Sequence, residues 1–125
     1  MASVTAQDFI NVMAITDDAE DIEYVMDLAI DRLNIYGADL DNMTGDAGSK
    51  TVTLTSAQRG AVFTVSRFIY NLFLKYTSSG GGSSSSVSLM GISKSQSTTL
   101  STNPEVMDLA KECANQIKGR SFKRT

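Results

Sequence analysis

Between Thr55 and Tyr76 the chain carries apolar side chains nearly all round a helical period: Ala61, Val62, Phe63, Val65, Phe68, Ile69, Tyr70, Leu72, Phe73 and Leu74. Such a helix cannot lie on a surface. It has to be wrapped, either in the middle of a bundle or at a contact between subunits. Thr55 with Gln58 three residues later forms a capping box that starts it. Gly60 weakens the helix locally and invites the close approach of a neighbouring helix. The chain has 125 residues, enough for one domain with a real core that needs neither disulfides nor metals. Val62, Val65, Phe68, Ile69 and Phe73 are the expected centre of that core.

The rest of the sequence supplies the wrapping. Thr5 is an N-cap with Asp8 three residues on, and Phe9, Ile10, Val12 and Met13 give a short helix its apolar content. Ala14, Ile15 and Thr16 break it. Thr16 or Asp17 then caps a longer helix running to about Tyr36, with Asp17, Asp18, Glu20 and Asp21 in its first turn, where negative charge suits the helix dipole. Ile22, Val25, Met26, Ala29, Leu33 and Tyr36 step by three and four along one face, to be packed against the apolar helix, with Glu23, Asp27 and Asp31 opposite. Gly37 stops this helix at the usual position. Residues 38–50 read as a turn-rich loop, and Thr51-Val52-Thr53-Leu54 as a short extended stretch. Asn103 followed by Pro104 opens a last helix. Its stripe is Val106, Leu109, Ala110, Cys113, Ala114 and Ile117, and Gly119 is expected to end it. The fold class is therefore all-α, a small bundle of about four helices in a single domain over residues 1–125.

Residues 77–102 depart from this pattern. Serine, threonine and glycine dominate, including Gly80-Gly81-Gly82 and Ser83-Ser84-Ser85-Ser86. Such runs behave as flexible coil. Only Val87, Leu89, Met90, Ile92 and Leu100 can pack, so the segment reads as a loose hairpin or as an arm that orders on binding a partner. After Gly119 comes a basic tail, residues 119–125. Val87, Leu89, Met90 and Ile92 in the arm, and Lys118, Arg120, Phe122, Lys123 and Arg124 at the C-terminus, are the candidate partner-binding residues.

Little in the sequence points to chemistry. It contains no histidine and one cysteine, Cys113. That removes the commonest general base and metal ligand, the Ser/His and Cys/His pairings, any internal disulfide and any CxxC zinc pattern. A reducing interior is the natural setting. Cys113 sits on an apolar stripe with no base, so it reads as a core residue. The acids 17–23 lack calcium-loop spacing and read as a solvated helix start, and Asp39, Asp41 and Asp46 read as ordinary loop acids. The glycine run is followed by no GK[ST] and opens no helix, so it is no phosphate loop. The expectation is no catalytic site, no cofactor and no metal. The first residues carry no signal-peptide pattern, and the longest apolar stretch is too short for a bilayer, so a soluble protein is expected.

Charge, by contrast, is strongly partitioned. Residues 1–46 hold eleven acids against Arg32 alone, a sum of -10, whereas residues 47–125 sum to +7 and bring the whole to -3. Either the halves neutralise one another inside the fold, or they present complementary patches to partners. A subunit acidic in one part and basic in another can meet its own copy head-to-tail, and heterologous contacts close into rings when the rotation allows.

The order of these elements, through TDDAEDIEYVMDLAIDRLNIYGA and TSAQRGAVFTVSRFIYNLFLKY to the Ser/Gly-rich segment and the last helix, resembles the head-to-tail connector (adaptor, or head-completion) proteins of tailed bacteriophages and related viruses. The likeness covers nearly the whole chain and rests on pattern, because that family has no catalytic signature. It implies a helical subunit of a virion, made in the host cytoplasm and placed at the neck beneath the capsid vertex. It implies a homo-oligomeric ring, commonly of twelve copies, with DNA passing through the lumen and no membrane partner. Residues 77–102 would then contact tail-side proteins, and the C-terminal segment would reach the portal protein. The rival reading is a small helical regulatory or nucleic-acid-binding protein using the basic second half, and an enzyme is the third.

Overall fold

The computed structural model describes residues 2–15, 19–76 and 102–123, and for 2, 76 and 118–123 the backbone alone. In chain order the elements are strand β1 (Ala2–Thr5), helix α1 (Ala6–Met13), helix α2 (Ala19–Ile35), strand β2 (Thr51–Leu54), helix α3 (Ser56–Tyr76) and helix α4 (Pro104–Lys123). This is a small, mostly α-helical bundle with a two-stranded antiparallel ribbon at its side.

Capping chemistry sets the helix starts. Thr5 and Asp8 exchange hydrogen bonds, Thr5 N–H donating to Asp8 Oδ2 at 2.9 Å and Asp8 N–H to Thr5 Oγ1 at 3.2 Å. Thr55 and Gln58 repeat the device at 2.9 and 3.1 Å. At α4 the Asn103 Oδ1 accepts from Glu105 N–H at 2.7 Å, with Pro104 in the first turn. The residues proposed to cap α2, Thr16 and Asp17, lie outside the described residues. Helix ends are set by left-handed residues: α1 stops at Ala14 (φ 55) and α2 just before Gly37 (φ 88). At the latter, Ala38 N–H bonds Leu33 O and Gly37 N–H bonds Asn34 O. That pair is the Schellman closure of a helix.

Helix α3 packs against α2 and α4, which also touch each other, and α1 packs on α2. Val62, Val65, Ile69 and Phe73 are fully buried, in one cluster with Val25, Met26, Ala29 and Leu33 of α2 and Val106, Ala110 and Ala114 of α4. Three expectations need correcting here. Phe68 is only partly buried, at the edge of this cluster, whereas Phe63 is buried and meets Phe9 edge-on at 5.2 Å. Helix α3 is also not sealed all round, because Arg59, Gly60, Thr64, Arg67, Asn71, Leu74 and Lys75 make an exposed stripe. Gly60 accordingly meets no neighbouring helix; a Cβ built there would touch nothing within 4 Å.

The ribbon pairs Ala2 with Leu54, Ser3 with Thr53, Val4 with Val52 and Thr5 with Thr51. Strand β2 was expected from its alternation, and Val52 and Leu54 do face the core. Strand β1 has no such signal. The C-terminal boundary differs as well: α4 continues through Gly119 to Lys123. One glycine costs a helix only about 1 kcal/mol, too little to end one whose neighbours keep helical geometry.

Candidate functional site

Among the described residues, the acidic row of α2 forms a well-defined polar constellation. Glu23, Asp27, Asp31 and Asn34 recur at steps of four, four and three, which places them on one side of the helix. The sequence pattern places the three acids on the side of α2 opposite its apolar face. Glu23 is buried there and Asp27 half-buried, while Asp31 stays exposed. The 36–50 segment turns back along α2 and is fastened to each of them in succession. Asn34 holds Leu40 with both arms of its amide, at 2.9 Å to the carbonyl and 2.7 Å from the N–H. Asp31 accepts from the Asn42 amide at 3.1 Å, and Asp27 from Met43 N–H at 3.0 Å. Glu23, only 3% exposed, accepts from Gly48 N–H through one carboxylate oxygen and from Lys50 N–H through the other, each at 2.9 Å.

The turn that receives Glu23 is closed by Thr44 and Thr51, which exchange both backbone hydrogen bonds at 2.9 Å. Gly48 (φ 90) takes a backbone conformation that suits glycine, and a side chain there would point at Glu20. The fastening buries Leu40 and Met43 against the core. So these acids are answered by backbone N–H groups and an amide, an arrangement that fastens the segment to the helix. Among the described residues no group of three metal-ligating side chains comes together. Asp39, Asp41 and Asp46 are each exposed on the outside of the fastened segment.

Cys113 lies on the α4 stripe, buried. Burial first, and the charge of Glu112 second, raise its thiol above the ordinary value. That disfavours the thiolate a nucleophile needs. It lines a groove of about 290 Å³ between the start of α3 and the middle of α4, with Gly60, Thr64 and Gln116.

A second groove, of about 300 Å³, opens between α1 and α3. Val12, Met13 and Ile15 form its apolar side, and Arg67 and Asn71 its polar rim. Val12 is 56% exposed, as is Ile35 at the far end of α2. Helix α3 carries Arg59, Arg67 and Lys75 and no acid, whereas exposed Glu20, Asp31, Asp39, Asp41 and Asp46 lie on α2 and the segment fastened to it. Opposite charges are thus carried by different elements here, while α4 is mixed, with exposed Glu105, Asp108 and Glu112 beside Lys111.

Of the residues proposed to bind partners, Val87, Leu89, Met90, Ile92 and Arg124 lie outside the described residues. Lys118, Arg120, Phe122 and Lys123 fall on the last turns of α4, a helix where a tail was expected. Compared with known protein families, curated proteins and solved structures, the chain matches none. No helix of the described residues is long and apolar enough to cross a membrane.

Proposed function

We propose that this chain is a structural subunit of a tailed-virus particle, a head-to-tail connector that assembles as a ring between the portal and the tail and carries out no catalysis. The observation that carries this reading is the segregation of charge between elements of a helical body. Five exposed acids stand on α2 and its fastened segment, and the charged residues on the exposed stripe of α3 are Arg59, Arg67 and Lys75. Surfaces of opposite sign on one subunit favour heterologous contacts between copies, the kind that close into rings. The element order supports the same reading through its resemblance to connector proteins. In this assignment residues 77–102 engage tail-side proteins, and the C-terminal turns of α4 engage the portal.

The test is genetic and structural together. Removing the protein from its virus is expected to leave DNA-filled heads that lack tails, and imaging of intact particles is expected to place a ring of it in the neck. Deleting residues 80–97 is expected to keep the circular-dichroism spectrum helical while blocking tail attachment. Tailed, infectious particles assembled without the protein would refute the assignment. A chain that stays monomeric and binds DNA with a steep salt dependence would favour the nucleic-acid-binding reading instead.

A further inference from the structure

We draw no further inference here: the strongest candidate, the groove between α1 and α3 that Val12, Met13 and Ile15 line opposite Arg67 and Asn71, is an open cleft of mixed polar and apolar character, and nothing in the structure shows what covers it.

Discussion

Ser66 is the one fully buried side chain in the described core whose polar atom finds no partner. An unbonded hydroxyl in an apolar site has lost its water without replacement, at a cost of about 1–3 kcal/mol. Ser66→Ala should therefore raise stability by about 1 kcal/mol, read as a higher urea midpoint at unchanged slope. The neighbouring aromatics separate cleanly by burial. Phe73 is fully buried and Phe68 only partly so. Phe73→Ala should cost about 3–5 kcal/mol and Phe68→Ala clearly less, so equal losses in a denaturant titration would show that the buried face of α3 is misplaced. The Cys113 thiol is likewise held in its protonated form by burial. In the native protein it should react with a thiol reagent at neutral pH far more slowly than in the unfolded chain, and equal rates would contradict that burial.

At the scale of elements, α2 is a two-faced helix whose second face is the less obvious one. Glu23 bonds two backbone N–H groups at 2.9 Å, and hydrogen bonds to charged groups contribute about 1.5–3 kcal/mol each before solvent takes its share. Glu23→Ala should lose about 2–3 kcal/mol and open residues 44–50 to limited proteolysis. A stable variant with an uncut loop would mean that the fastening does not hold the segment. The apolar face of α2, the caps at Thr5, Thr55 and Asn103, and the stop at Gly37 were all legible, because each depends on residues three or four apart. Four features were not. Strand β1 is fixed by pairing with residues some fifty positions away, and Glu23 by the loop that folds onto it. Gly119 is overruled by the helix around it. The α1–α3 groove was likewise hidden, since it exists only where two separate helices meet.

For the whole molecule, the partition of charge along the sequence becomes a partition between elements. Glu23 and Asp27 are met by backbone donors and Asp31 by the Asn42 amide, whereas Glu20, Asp39, Asp41 and Asp46 are exposed, as are Arg59 and Arg67 on α3. Association that depends on them should weaken as ionic strength rises and the screening length falls below about 10 Å. Light scattering across a salt series on the full chain would show it, and a mass independent of salt would point to an apolar contact instead. Pairing of β1 with β2 has a further consequence, for synthesis. Val4 is a core residue, yet its partner Val52 is made 48 residues later. At about 5–20 residues per second, the first strand leaves the ribosome some 2–10 s ahead of the chain it must join. During that interval its backbone donors and acceptors have no native partner. Strand β1 is translated well before the strand it must join, so nascent chains stalled before residue 54 should be the species that chaperones hold.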